Sequence, residues 1–462
     1  MNVVVVGGGK VGHLLTKLLV EANHDVVVID NDENILEDLQ TNFDVAVVNG
    51  NGATVDVQRE AGVETSDLVI AATSSDEINL LCCVVANMLG ATHTVARVRN
   101  PEYDQQIEFL RHKLGLDIAL NPEKATAREI FRILQFPSFL KRDSFAQGRV
   151  ELVEIKLPDG SPLDGKKLME VKDIIRVNAL ICAVERNGEV SIPDGNFVLH
   201  SGDHVMVTAD AAKLISLMKT LNINHKPVEN AMIIGGGHIS LYLAQLLEKA
   251  KVDVTIIETD RDKCEELSHE LPKATVIHGN GTEMELLLAE GIRDMDAVIS
   301  LTGMDEENMI ISMFANSLDI TKTVTKINHT EYIGVLNKAG IDTTVSPKLL
   351  VANEIMRYVR AIYQDGGVIG NSKAGTVETL YRLSNGKAEA LGFTVPEEGN
   401  YQGVTLMELK LKPNILIASI IRNKQVIIPK GSDCLLPGDS IVVVTTSDQA
   451  ISALTDIFAV EF

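Results

Sequence analysis

The sequence predicts an α/β protein made of two tandem copies, each a parallel-sheet domain followed by a small α+β domain. Three observations carry this. Short, continuously aliphatic runs alternate with longer helical patterns, one set of motifs recurs after about 230 residues, and midway through each copy the pattern changes to short β-rich segments. Strands that are apolar throughout and alternate with helices belong to a parallel sheet covered on both faces.

In the first copy, strands are expected at Val3–Val6, Asp25–Ile29, Val45–Val48, Leu68–Ala72, His93–Val98 and Ile118–Leu120. Helices are expected to run from near Gly9, Glu33, Thr54, Asp76 and Glu102. This order is Rossmann-like. Glu123 to Leu140 reads as one more helix, with Ala127, Ile130, Phe131, Ile133 and Leu134 as an apolar stripe. That stripe would either pair with a second chain or pack on its own sheet. From about Gly148 the segments shorten: Val150–Ile155 alternates, Pro158 to Pro162 is a turn, and Leu180–Glu185, Gly188–Ile192 and Asp203–Val207 are strands. Ala211 to Leu221 closes the unit as a helix.

The repeat is read motif by motif. Val3-Val-Val-Val-Gly-Gly-Gly-Lys-Val-Gly12 corresponds to Ala231-Met-Ile-Ile-Gly-Gly-Gly-His-Ile-Ser240, 228 residues on. Asp30 corresponds to Glu258, Gly50-Asn-Gly52 to Gly279-Asn-Gly281, and Asp76–Asn79 to Asp305–Asn308. Gly202-Asp203 returns as Gly438-Asp439, 236 residues on. Four domains are therefore expected, at 1–140, 148–222, 229–365 and 375–462, with Pro227 at the joint between copies.

Composition narrows the function. The 462 residues carry 42 Lys plus Arg against 64 Asp plus Glu, a formal net charge of −22. That excess of acid argues against nucleic acid as a partner, since phosphates need a basic footprint, and against a polybasic attachment to membranes. Hydrophobic residues make up 45% and aromatics only 4%, with no Trp, so the cores must be aliphatic. No apolar run approaches the roughly 18 to 20 residues of a spanning helix, so no direct membrane insertion is expected. No signal peptide is expected, since the sequence opens directly on a strand, and the five cysteines form no CxxC pair, so a reducing cytoplasm is expected. Cys82 and Cys83 read as core filler in a helix.

Gly7-x-Gly9-x-x-Gly12 follows a strand and opens a helix, the context that gives this otherwise weak motif meaning. The first glycine allows the turn, the second admits phosphate to the backbone, and the third lets helix and sheet pack closely. The helix N-terminus then presents N–H groups and a positive dipole end to a pyrophosphate. Gly8 and Val11 complete that turn. Asp30, at the end of the second strand, is placed to accept from both ribose hydroxyls and would repel a 2′-phosphate, which disfavours NADP. Lys10 follows the second glycine and would either face a terminal phosphate, so that ATP or ADP competes with NAD(H), or lie on the solvated surface.

Asn51 and Gly52 sit where an adenine edge would lie, or else form only a glycine turn. Ala72, Thr73, Ser74, Asp76 and Asn79 follow the fourth strand, at the carboxyl edge where ligands bind, and Arg97 ends the fifth. They would touch ribose or phosphate, or cap a helix. The second copy offers Gly235, Gly237, His238, Ile239, Glu258, Asn280, Gly281, Thr302 and Lys326. It departs at Ser240, which replaces the third glycine, and at Lys326, which replaces the arginine.

Catalysis is not expected. A dehydrogenase needs a substrate domain with an acid or base beside the nicotinamide, and the small modules offer only His200 and His204, flanking the Gly202-Asp203 turn and expected at the surface. No HExxH, Walker lysine loop, GxSxG or Cys–His pattern is present.

Several of these motifs together resemble one family. Gly7-x-Gly9-x-x-Gly12, Asp30, Asp67-Leu-Val-Ile-Ala-Ala-Thr73, Ser75–Asn79, Arg97-x-Arg99-Asn-Pro-Glu-Tyr103 and Asn121-Pro-Glu123 look like the N-terminal domain of the RCK (regulator of K+ conductance) family. Ser161-Pro-Leu-x-Gly165, Ile181–Arg186, Ile192-Pro193 and Gly202-Asp203 look like its C-terminal domain. Two copies in one chain resemble the tandem-RCK peripheral subunits of Trk potassium uptake systems. The resemblance implies a regulatory subunit that binds NAD(H) and/or ATP/ADP and gates potassium flux. It implies a homo-oligomeric, tetrameric ring, cytoplasmic and peripheral at the inner face of the plasma membrane, beneath a TrkH-type potassium channel subunit. The family commonly has Asp where Asn51 stands. Some relatives bind cyclic di-AMP through the C-terminal module, where Asn414–Arg422 would serve. A nucleotide sensor with a soluble partner, or an NAD-dependent oxidoreductase, are the alternatives.

Overall fold

The computed structural model describes the chain except at residues 137–138, 140, 146–149, 176, 211–212, 224–226, 342, 365–374, 376, 384–386, 398, 400, 424, 447–450, 452 and 460–462. The expected helix end at Leu140, domain limits at Gly148, Asp365 and Phe462, and helix start at Ala211 lie outside the described residues.

The first copy begins β1 (Asn2–Val6), α1 (Lys10–Glu21), β2 (Asp25–Asp30), α2 (Glu33–Asn42), β3 (Ala46–Asn49), α3 (Val55–Glu60), β4 (Leu68–Ala71), α4 (Asp76–Leu89), β5 (His93–Arg97), α5 (Pro101–Leu114), β6 (Ile118–Leu120) and α6 (Pro122–Gln135). The six strands form one parallel sheet in the order β3-β2-β1-β4-β5-β6. Strand order reverses between β1 and β4, the switch point where such sheets open a crevice. Val3–Val6 and Leu68–Ala71 are buried throughout, as strands covered on both faces must be. The helix ends follow local chemistry. Ser75 caps α4 by accepting from the Ile78 N–H, and Gly90 ends it in the left-handed region. Asn100 caps α5, with Pro101 in its first turn.

The small domain follows as β7 (Lys141–Phe145), β8 (Val150–Lys156), α7 (Leu168–Ile174), β9 (Ala179–Arg186), β10 (Glu189–Ser191), β11 (His204–Asp210) and α8 (Leu214–Thr220). Its sheet is antiparallel in the order β10-β9-β11-β8-β7.

The second copy repeats both layouts. Its first part is β12 (Asn230–Ile234), α9 (His238–Lys249), β13 (Asp253–Glu258), α10 (Arg261–Glu270), β14 (Thr275–His278), α11 (Met284–Ala289), β15 (Ala297–Ser300), α12 (Asp305–Ser317), β16 (Lys322–Lys326), α13 (Ile333–Lys338), β17 (Thr344–Val345) and α14 (Pro347–Gln364). The sheet order is β14-β13-β12-β15-β16-β17. Then come β18 (Val377–Leu383), β19 (Ala388–Thr394), β20 (Ile415–Arg422), β21 (Gln425–Ile427) and β22 (Ser440–Thr446), in the order β18-β19-β22-β20-β21. The predicted class, two Rossmann-like sheets each followed by a small α+β domain, is what the chain adopts.

The chain divides into two compact units, one of Met1–Phe131 with Val228–Met356, the other of Arg132–Pro227 with Arg357–Phe462. Each unit therefore pairs like with like. In the second, Val150, Leu152, Cys182 and Met206 of one small sheet share a core with Leu383, Ala388, Ala390, Val442 and Val444 of the other. The stripe on α6 is also closed within the chain: Ala127, Ile130, Ile133 and Leu134 are buried. These four are covered without a second chain, and Phe131 of the same stripe is half-buried.

Candidate functional site

The glycine turn is built as its spacing requires. Gly7 has φ +100°, and a Cβ there would stand 2.9 Å from the Thr73 nitrogen, so β1 and the end of β4 approach closely. A Cβ on Gly12 would meet the Gly7 carbonyl oxygen at 1.7 Å, so α1 rests directly on the turn. Gly9 caps α1, and a Cβ there would meet no atom within 4 Å, so the approach to the first N–H groups of the helix stands open.

Asp30 closes the turn from the next strand. Its Oδ2 accepts from the Gly8 N–H at 2.6 Å and its Oδ1 from the Asp32 N–H at 3.0 Å. Glu258 does the same in the second copy, with Oε2 accepting from Gly236 N–H at 2.5 Å and Oε1 from Asp260 N–H at 2.8 Å. Burial raises the Glu258 carboxyl, and the N–H groups of Asp260 and Gly236 outweigh it, so the net direction is down. Ser240 fits the third-glycine position by donating its hydroxyl back to the Gly235 carbonyl.

One open cleft collects most of the first copy's expected residues. Gly7, Gly9, Lys10, Val11, Asp30, Asn51, Gly52, Ala72, Thr73, Ser74 and Arg97 all line it. Gly8 and Gly12 are not on its wall: a Cβ on Gly8 would run into Ile35 and Leu39 of α2. Gly52 is also a packing position, because a Cβ there would reach Val6 at 2.2 Å, as one on Gly281 would reach Ile234 at 2.1 Å. The Asn51 side-chain oxygen accepts from the Ala53 N–H, and Asn280 likewise from Thr282.

Asp76 and Asn79 stand behind the cleft. Asp76 is buried and accepts from the N–H groups of Arg99 and Asn100 at 2.8 and 2.7 Å, tying α4 to the loop after β5. Asn79 is fully buried. Its oxygen accepts from the Thr73 N–H and hydroxyl, and its amide donates to the Arg97 carbonyl at 2.9 Å. Asp305 and Asn308 repeat both latches, and Thr302 donates its N–H to Asn308. These four hold the fold through backbone groups, and the cap of α4 is Ser75 rather than Asp76 or Asn79.

The second copy supplies part of the first copy's cleft. Ile239 and Lys326 line it, together with Asn328, Pro347 and Lys348, which the sequence did not single out. His238 instead faces a neighbouring groove with Lys124 and Arg128, beside Tyr242, whose hydroxyl accepts from Asn121 at 3.1 Å. Gly235 (φ +101°) and Gly237 form the second turn.

The far wall is cationic with one acid set among the cations. Burial, then the charge of Arg99, lowers the Arg97 guanidinium, which donates to the Thr73 carbonyl while its Nε is buried without a hydrogen-bond partner. Burial lowers Lys326, opposed by Asp305 and Glu123. Glu123 accepts from Arg99 Nε at 2.6 Å through one oxygen, and its other oxygen is buried without a partner. The arrangement suits a phosphorylated diol. N–H groups and cations meet phosphate, and a fixed carboxylate meets vicinal hydroxyls. Among the described residues lining the cleft there is no His and no Cys.

The chain resembles known proteins along nearly its whole length. The TrkA-N domain matches residues 3–122 and 231–347, and the TrkA-C domain matches 152–222 and 391–459. The chain is 31% identical over 459 residues to the Trk system potassium uptake protein TrkA homolog of Archaeoglobus fulgidus, covering 99% of this chain and 100% of that one. Among solved structures it is similar to the GsuK channel bound to NAD, at TM-score 0.61 and 21% identity, covering 97% of this chain and 77% of that one. It is also similar to GsuK bound to ADP, at TM-score 0.50 and 17% identity, covering 78% and 69%. These likenesses support the fold.

Proposed function

Because the chain belongs to the TrkA family, with a TrkA-N and a TrkA-C domain in each half, we propose that it is a nucleotide-binding regulatory subunit of a potassium uptake system. The observation that carries this is the cleft over the first glycine turn, where Asp30 is anchored on Gly8 and cations from both copies, Arg97 and Lys326, face it. In this reading NAD(H) and/or ADP or ATP lies with its ribose on Asp30 and its phosphates at Gly9, Lys10 and the cationic wall. Val11, Asn51, Gly52, Ala72, Thr73, Ser74 and Ile239 contact the rest. The second glycine turn, with Gly235, Gly237, His238, Glu258, Asn280, Gly281 and Thr302, forms a second and unequal nucleotide site. A 2′-phosphate would sit against the Asp30 carboxylate, so NADP is rejected.

The ligand regulates by favouring one arrangement of the two parallel-sheet domains, since it shifts an equilibrium only as far as it binds one state better. The partner is a TrkH-type membrane subunit, the working form is a homo-oligomeric ring at the cytoplasmic face, and the chain is not an enzyme. The domain limits proposed are those expected from the sequence.

The test has two parts. Melting temperatures are compared with NAD, NADH, ADP, ATP and NADPH for the wild type and Asp30→Ala. Potassium flux is then followed in vesicles holding a TrkH-type subunit. Stabilisation by the dinucleotide without a 2′-phosphate (NAD or NADH) or by ADP or ATP that is lost in Asp30→Ala, with nucleotide-dependent flux, is expected. A shift that survives Asp30→Ala, or flux indifferent to nucleotide, overturns the reading.

A further inference from the structure

The second unit holds a three-residue cluster that the nucleotide reading leaves unused. His204 begins β11, the central strand of the first small sheet. Glu185 lies directly opposite it on β9, and Glu154 lies on β8, paired with Met206. The strand order β9-β11-β8 thus brings three side chains together at one end of the sheet's three inner strands. The His204 Nδ1 is 3.3 Å from the Glu154 Oε1. One ligand atom from each of the three residues lies within 4.8 Å of the others, and all three residues are half-buried.

The duplication provides an internal control. The same ladder positions of the second small sheet are held by Gly392 on β19, Ile421 on β20 and Ser440 on β22. The fold therefore does not require ionisable groups at this end of the sheet. Two carboxylates brought this close repel each other, and a single imidazolium would offset only one of them.

We infer that Glu154, Glu185 and His204 form a divalent-cation site confined to the first copy. Two carboxylate oxygens and one imidazole nitrogen match an ion of borderline softness, with Zn2+ preferred over Mg2+, which favours an all-oxygen shell with several waters. Ligand atoms about 2.1 Å from such an ion stand roughly 3.4 Å apart, so the His204–Glu154 pair is already near that spacing and Glu185 needs only a side-chain rotation. The remaining positions of the ion would carry water. This inference is independent of nucleotide binding.

The full-length chain, stripped with a chelator, is titrated calorimetrically with Zn2+ and separately with Mg2+ at pH 7.5. Glu185→Gln, His204→Gln and His200→Gln are titrated in the same way, and melting without metal reports folding. The expected result is one Zn2+ site per chain and no comparable Mg2+ site. It is retained in His200→Gln and weakened in Glu185→Gln and His204→Gln by more than the roughly 10- to 100-fold that loss of a merely supporting residue costs. If His204→Gln does not fold, the near-isosteric Glu185→Gln decides. No Zn2+ binding by wild type, or equal binding by Glu185→Gln, overturns the inference and leaves the cluster as a hydrogen-bonded His204–Glu154 pair beside Glu185.

Discussion

Arg97 and Lys326 lie 229 positions apart at the ends of the equivalent strands β5 and β16, yet they line the same cleft. The first copy's cleft is not built from the first copy alone. It has placed the second copy's cation on the wall of the first copy's cleft.

Lys326→Ala is therefore expected to weaken nucleotide binding at the first copy's site, although the residue belongs to the second. A charge-assisted contact to phosphate contributes about 1.5–3 kcal/mol, so affinity should fall between tenfold and a hundredfold. Titration calorimetry of ADP on wild type and variant checks this, and unchanged affinity would place the phosphates elsewhere.

Two glycines of one turn should behave oppositely. Gly12→Ala puts a Cβ on the Gly7 carbonyl and should cost about 1–3 kcal/mol of stability. Gly9→Ala meets nothing within 4 Å, so it should melt close to wild type while losing nucleotide affinity. Thermal unfolding with and without ADP separates the two.

Asn79→Ala should destabilise the chain by about 1–3 kcal/mol, because the Thr73 N–H and the Arg97 carbonyl lose their buried partner. Urea unfolding measures it. An effect on nucleotide affinity without an effect on stability would contradict the latch.

Acid should weaken the first small domain through Asp203. Burial raises this carboxyl, but the Arg186 guanidinium, with Nε and Nη2 on its two oxygens at 2.7 Å, outweighs burial, and the net direction is below 3.8. A depressed carboxyl stabilises fully above its unfolded value and loses that contribution as pH falls through the lower folded value. Wild-type stability should therefore drop below about pH 4, where unfolded aspartate begins to protonate. Asp203→Asn should be less stable near neutrality and show a shallower acid slope in urea titrations from pH 6 to pH 3.

Thiol labelling should single out Cys434. Burial pushes Cys82 and Cys182 up to about 12, with Cys83 and Cys264 also raised by burial, whereas Cys434 is half-exposed. With a thiol reagent at pH 8, one of the five cysteines should react quickly in the folded chain, and all five after unfolding.

Much of the fold was legible because it is written in local periodicity. β1 was expected at Val3–Val6 and found at Asn2–Val6, and β6 was expected and found at Ile118–Leu120. Such strands need only continuous aliphatic character. β7 (Lys141–Phe145) and α7 (Leu168–Ile174) were not foreseen, since a five-residue strand of mostly polar sequence and a two-turn helix leave no clear apolar pattern. The glycine turn and Asp30 were legible because a close approach of backbone to backbone leaves a glycine, and a strand end leaves a carboxylate.

By itself the sequence determined the duplication, the Rossmann-like class of the parallel sheets, and the residues of each glycine turn with its acidic partner. These rest on repeats, hydrophobic period and backbone freedom, all local along the chain. Only the tertiary structure decided that Asp76 and Asn79 turn inward as latches. Only it showed that Ile239, Lys326 and Lys348 join the first copy's cleft, and that Glu154, Glu185 and His204 meet at one end of a sheet. Those relations depend on strand register and on how the two parallel-sheet domains of one unit face each other, and neither is encoded in the spacing of residues along a single segment.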